Sequence, residues 1–142
     1  MSETETVHAS CVAISGRGVL IAGASGRGKS DLALRLIDRG ARLVSDDYTI
    51  LRAENGRLIA SAPPNIAGQI EMRGVGIVEM AALAEAPVCL FIDLDTPPER
   101  LPEPRTVTLL HESVPALRLE ALEGSGAIKV ETALRLFGLP CE

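Results

Sequence analysis

The sequence predicts one α/β domain, and three observations carry that expectation. Short runs of Val, Ile, Leu and Ala recur along the chain, with stretches of helical period at residues 29–39 and 127–136. A glycine-rich segment separates an apolar run from the first helical stretch, where neither strand nor helix can continue. No repeat or low-complexity linker divides the 142 residues, and that length suits a single core.

Taken in order, residues 1–6 are polar and acidic and read as a frayed tail. Residues 7–14 and 19–22 are β-rich and flank the turn signal Ser15-Gly16-Arg17-Gly18, so they form a hairpin whose second strand is buried. Residues 29–39 place Leu32, Ala33 and Leu36 on one helical face, and Gly40 stops the helix. Residues 41–45 form a second buried strand that ends in Asp46-Asp47. Two runs, 48–53 and 57–61, flank Asn55-Gly56, a strong hairpin signal, and Pro63-Pro64 closes that unit. Residues 69–80 contain two glycines and read as a constrained loop leading into a strand, followed by a helical turn at 81–86. Val88-Cys89-Leu90-Phe91-Ile92-Asp93-Leu94 is another buried strand. Pro97, Pro98, Pro102 and Pro104 make the next stretch a loop or surface arm, a docking surface or a flexible connection. Strands follow at 107–110 and 116–119, and a terminal helix at 127–136.

Composition narrows the function. Aromatic residues make up 2% of the chain and Trp is absent, so little is available to stack on nucleic-acid bases. The net charge of −5 argues against a nucleic-acid or anionic-membrane partner. Cys11, Cys89 and Cys141 are widely spaced with no CxxC pair, which suggests reduced structural thiols and no zinc site. The start lacks an apolar signal region, and no apolar run approaches the roughly 18 residues of a membrane span. A cytoplasmic protein is expected.

Gly23-Ala24-Ser25-Gly26-Arg27-Gly28-Lys29-Ser30 fits G-x-x-x-x-G-K-S/T, with the strand before it and the helix after it that this motif demands. Glycines let successive backbone N–H groups point inward as an anion cradle, and the following helix aims its positive end at the same place. Lys29 would reach the β- and γ-phosphates of ATP, and Ser30 would ligate Mg²⁺. Asp46-Asp47 stands at the carboxyl end of a buried strand, where open α/β sheets bind ligands. An acid there can hold Mg²⁺, directly or through water, or accept a proton from an attacking hydroxyl. Adjacent residues on extended chain point to opposite sides, so only one of the two is expected to face the phosphates. The plainer alternative is a solvated turn pair.

His8, the loop with its following Asp31, the stretch from Arg39 to Asp47 (RGARLVSDD) and the run Ile70-Glu71-Met72-Arg73-Gly74-Val75-Gly76-Ile77 together resemble the HPr kinase/phosphorylase family, in its C-terminal catalytic domain. The resemblance is dense over residues 8–78. It implies a P-loop kinase domain with a fold like that of PEP carboxykinase, a mixed central sheet with flanking helices. It also implies a serine kinase that uses ATP and Mg²⁺ on HPr, the small phosphocarrier of the sugar phosphotransferase system. Asp47 matches the family's catalytic aspartate, base toward the serine and acid in reverse. Ser30 and Glu71 match its Mg²⁺ ligands, and His8 and Lys29 match its histidine and its loop lysine. Arg100 is the nearest candidate for a late catalytic arginine, with Arg105 second. Many members also remove the phosphate by phosphorolysis through a late Pro-Gly-Arg-Asn loop. The closest stretch here is Gly124-Ser125-Gly126-Ala127-Ile128-Lys129, so kinase activity is expected over phosphorylase activity. His8 already lies near the start, so the family's N-terminal domain is expected to be absent and residues 1–142 to be one catalytic domain, as in the short HPr kinases of alphaproteobacteria. The family's hexamers make a homo-oligomer an expectation too.

On the residues alone, Arg73 could offset transition-state charge, and Gly74 and Gly76 suggest close backbone approach to the phosphates. Two other functions stay open: a small-molecule P-loop kinase, and a nucleotide-binding regulatory module without turnover.

Overall fold

The computed structural model describes residues 3–140, so Cys141 lies outside the described residues. Along the chain run β1 (Thr4–Val7), β2 (Ala9–Ile14), β3 (Arg17–Ala22), α1 (Lys29–Asp38), β4 (Arg42–Ser45), β5 (Thr49–Glu54), β6 (Arg57–Ser61), β7 (Gln69–Met72), β8 (Gly76–Glu79), β9 (Glu85–Asp93), β10 (Arg105–Leu109), β11 (Glu112–Arg118) and α2 (Gly126–Phe137). Nine strands form one sheet in the order β1-β5-β6-β9-β3-β2-β4, with the β10–β11 hairpin attached to β9 through β11. β3 and β11 run parallel to β9, and the other pairs are antiparallel, so the sheet is mixed. β7 and β8 form a separate hairpin.

Side chains alternate across the central strands and build two cores. Val12, Val19, Ile21, Leu43 and Ile92 pack with Leu32, Ala33 and Leu36 of α1 and Val130, Ala133 and Leu134 of α2. Both helices therefore lie on the same face of the sheet. On the opposite face Cys11, Ala13 and Leu20 meet Leu51, Leu58, Ala60 and Val114, so the sheet curls and covers itself. Each fully buried Leu or Ile contributes about 1.5–3 kcal/mol relative to exposure, which anchors α1 firmly to β2 and β3. Arg35 of α1 also donates to the carbonyls of Ala121 and Glu123, and Arg39 pairs with Glu131 of α2.

The hairpin turns follow their chemistry. Asn55 and Gly56 both have positive φ, as does the pair Ser15 and Gly16, matching two-residue turns that follow strand twist. Leu110 and His111 do the same without a turn signature. Three expectations are corrected. The acidic start is not a frayed tail throughout, because β1 pairs with β5 along Thr4–Val7; an exposed edge strand held by main-chain bonds leaves no apolar pattern to read. Residues 81–86 are extended rather than helical, with Ala82 bridging Leu43, Leu83 donating to the Leu43 carbonyl at 2.9 Å, and β9 beginning at Glu85. The free edge of β4 outweighs the helix propensity of alanine there. Residues 69–80 form a hairpin rather than a loop and one strand, turning where Val75 donates to the Met72 carbonyl with Gly74 at φ 88. Among the described residues no helix is long and apolar enough to cross a membrane.

Where β3 meets β9, a Cβ built on Gly18 would lie 2.6 Å from the Pro87 carbonyl oxygen. Gly18→Ala should therefore cost about 1–3 kcal/mol in urea unfolding, since the obstacle is backbone and cannot rotate away. Burial, reinforced by Cys89, pushes the Cys11 thiol up to about 12. At neutral pH it keeps its proton, so Cys11 should resist iodoacetamide in the folded protein and react once unfolded, as read by peptide mass spectrometry.

Candidate active site

β3 delivers the chain to Gly23 at the carboxyl end of the parallel β3–β9 pair, and α1 begins six residues later at Lys29. The intervening turn closes through Arg27 N–H to the Ala24 carbonyl at 3.1 Å. Gly26 and Gly28 sit at φ 86 and 93, backbone conformations that side chains disfavour. Asp95, just past β9, holds the loop from one side: its Oδ1 accepts the Ala24 N–H at 3.0 Å and lies 3.4 Å from Arg27 Nε.

Lys29 is buried, 4% exposed, and its ammonium folds back over the loop. Nζ donates to the Gly23 carbonyl at 2.8 Å and to that of Ala24 at 3.4 Å, and stands 3.4 Å from Asp47 Oδ1. The next residue, Ser30, donates from Oγ to Asp46 Oδ1 at 2.5 Å. Asp46 is buried and accepts two further bonds, from Ser10 Oγ on Oδ1 at 3.1 Å and from the Glu71 N–H on Oδ2 at 3.0 Å. A buried carboxylate needs such donors to stay in place.

The premise that Asp46 and Asp47 sit on extended chain is corrected. Tyr48 N–H donates to the Asp46 carbonyl at 2.8 Å, closing a three-residue γ-turn with Asp47 at its apex, φ 71. The chain is not extended at this point, so strand alternation does not apply. The turn brings Asp46 to Ser30 and Asp47 to Lys29. Left-handed backbone at a non-glycine residue is strained and persists only where its surroundings hold it. Here Ser45 Oγ bonds the Tyr48 carbonyl, and Ser10 Oγ accepts the Asp47 N–H at 2.9 Å.

His8 falls in the break between β1 and β2, and its Nε2 lies 3.0 Å from Asp47 Oδ1. An ionised Asp47 only accepts, so this bond puts an imidazole proton on Nε2. The Tyr48 ring stacks on His8 with centroids 4.9 Å apart. Glu71 is brought beside Asp46 by its main-chain N–H, while its side chain is exposed. Arg73 is exposed at the tip of the β7–β8 hairpin. Gly74 and Gly76, at φ 88 and 124, have no protein atom within 4 Å of a built Cβ, so within the chain it is the backbone conformation that calls for glycine. Arg100 lies on the exposed connection after β9, where prolines keep the chain out of regular structure. No hydrogen bond or ion pair joins Arg100 to the loop among the described residues, and Arg105 pairs with Glu99 at 2.7 Å. The stretch from Gly124 to Lys129 leads into α2, and neighbouring Ala121 packs under Gly28. Sequence reasoning raised Asp46 as one of an acidic pair but carried only Asp47 as a site residue, and it missed the parts played by Ser10 and Asp95. Asp95 carried a signal, since it follows a buried strand on the ligand-binding edge.

The donor set suits a nucleotide and Mg²⁺. Ser30 at the start of α1, beside Lys29, and Asp46 just past β4 offer hard oxygens. Mg²⁺ is commonly held by one or two carboxylates together with substrate phosphates and not by an all-protein cage.

Fold and site together define a mixed α/β domain with a glycine-rich loop at the carboxyl edge of its sheet and acids gathered over it. Residues 1–86 match the model of the HPr Serine kinase C-terminal domain, and the chain belongs to that family. It is 47% identical over 77 residues to the HPr kinase/phosphorylase of Clostridium botulinum, covering 54% of this chain and 25% of that protein. It is 37% identical over 154 residues to that of Geobacillus kaustophilus, covering 98% of this chain and 50% of the relative. The chain thus spans a quarter to a half of these curated relatives. The solved HPr(Ser) kinase/phosphatase from Coxiella burnetii superposes with a TM-score of 0.80 at 34% identity, over 92% of this chain and 94% of that one.

The γ-turn makes a stability prediction. Asp47→Gly and Asp47→Ala lose the same side-chain bonds, but only glycine relieves the positive φ. Asp47→Gly should be more stable than Asp47→Ala by about 1–2 kcal/mol in urea titration.

Proposed function

We propose that this chain is a cytoplasmic ATP- and Mg²⁺-dependent serine kinase acting on an HPr-like phosphocarrier in phosphotransferase-system regulation. The observation that carries the reading is the gathering of Lys29, Ser30, Asp46 and Asp47 over one glycine-rich loop. The names of the relatives, HPr kinase/phosphorylase and HPr(Ser) kinase/phosphatase, support a serine of HPr as the acceptor.

In this reading the loop amides and the positive end of α1 bind the triphosphate. Lys29 exchanges the Gly23 and Ala24 carbonyls for phosphate oxygens. Ser30 and Asp46, with Glu71 beside them, would hold Mg²⁺, which would neutralise charge on the phosphates. Asp47 orients the incoming serine hydroxyl and takes its proton as the new O–P bond forms and the bond from the γ-phosphorus to the bridging oxygen breaks, releasing ADP; in reverse it returns that proton to the serine oxygen. His8 fixes the Asp47 carboxylate, and Arg73 offers positive charge from the hairpin. The protein's contribution is position and charge, which is what phosphoryl transfer asks of it.

Purified protein given radiolabelled ATP, Mg²⁺ and the cell's own HPr-like carrier should label a serine of the carrier. Asp47→Asn should lower the rate by about 10²–10⁴-fold while still binding nucleotide, and Lys29→Ala should lose nucleotide binding or turnover. Tight Mg-ATP binding without carrier labelling would replace this reading with a regulatory module. Label on a metabolite would make the chain a small-molecule kinase.

A further inference from the structure

We propose that Ser10 is a positioning residue that couples the two aspartates, so that the place of Asp46 sets the aim of Asp47. Its kinetic consequence rests on the phosphotransfer reading above, while its structural half stands without it.

Ser10 lies on β2, between β3 and β4, and is fully buried between Ala9 and Cys11. A hydroxyl in such a place is costly unless satisfied. Most side-chain hydrogen bonds go to the backbone or to water, and a core serine usually follows that habit. Ser10 follows it only in part: one bond is with a main-chain amide, the other with a carboxylate, and the two groups lie 37 and 36 residues away. It has one proton, which goes to Asp46 Oδ1 at 3.1 Å, and an oxygen lone pair, which takes the Asp47 N–H at 2.9 Å.

That amide has no place in the sheet ladder. β4 ends at Ser45 and β5 begins at Thr49, and the γ-turn lies in the gap. Ser10 is therefore what the strained residue's main chain leans on. Two positions earlier, His8 grips the same residue's carboxylate at 3.0 Å. Asp47 is thus held at both ends by one short segment, the main chain by Ser10 and the side chain by His8. The link to the loop is equally direct. The Asp46 oxygen that receives Ser10 also receives Ser30 Oγ at 2.5 Å. Movement of that oxygen with Ser30 is passed through Ser10 to the Asp47 amide.

The test removes the hydroxyl by Ser10→Ala and, at matched volume, compares Ser10→Thr with Ser10→Val. In nucleotide-free protein, NMR-detected exchange of the Asp47 amide should accelerate about tenfold in the Ala and Val variants, with Leu20 and Ile21 amides unchanged. The Thr variant should keep wild-type exchange. With ATP and carrier, Ser10→Ala should lower kcat by about 10–100-fold, the usual effect of losing an outer partner of a metal ligand, with the KM for ATP within about threefold. Ser10→Thr should recover most of that loss. Unchanged Asp47 exchange, unchanged kcat, or a uniform rise in exchange across the core amides in both Ala and Val variants would overturn the proposal. If the wild type labels no carrier, the kinase reading fails, and the exchange measurement alone decides the coupling.

Discussion

The geometry of the site depends on one three-residue turn. Adjacent carboxylates on a strand diverge by construction, yet here Asp46 and Asp47 meet neighbouring residues of one loop, Ser30 and Lys29. The γ-turn closed by Tyr48 N–H makes this possible, at the cost of a left-handed backbone at a residue with a side chain. The strain is supported by bonds from β2, from Ser45 and from His8, so the structure that stabilises the turn is the same structure that assembles the site.

The sheet supplies the frame for that turn. The parallel pairing of β3 with β9 brings two carboxyl ends together, and from these ends come Gly23 and Asp95. β2 lies antiparallel between β3 and β4, and its start therefore reaches the same edge as their ends. This is how His8 and Ser10, distant in sequence from the aspartates, arrive beside them. The helices on one face fix the loop from behind, through the buried leucines of α1 and through Arg35 bonding the turn before α2.

Much of this was legible in the sequence, for physical reasons that differ by element. The loop motif, α1 and the Asn55-Gly56 hairpin were readable because each depends on local chemistry: glycine conformations, helical periodicity, and a turn that needs positive φ. β1 was not, because its side chains are exposed and only main-chain pairing to β5 holds it. The extended path at residues 81–86 depends on the free edge of β4, and no local signal encodes a distant edge. The acid pair was recognised, but alternation put one acid on the wrong side because it assumes a chain that continues straight. Ser10 was invisible for a related reason: its importance lies in two partners far along the chain, and a small polar residue in a β-rich run carries no mark of that.

The stacking of Tyr48 on His8 has a practical corollary. The chain contains one tyrosine and no tryptophan. Its near-ultraviolet emission therefore arises almost wholly from a single ring, half-exposed at the rim of the site and 4.9 Å from the imidazole that touches Asp47. The protein carries a built-in optical probe at the candidate site, needing no label and reporting with little background on the surroundings of that ring.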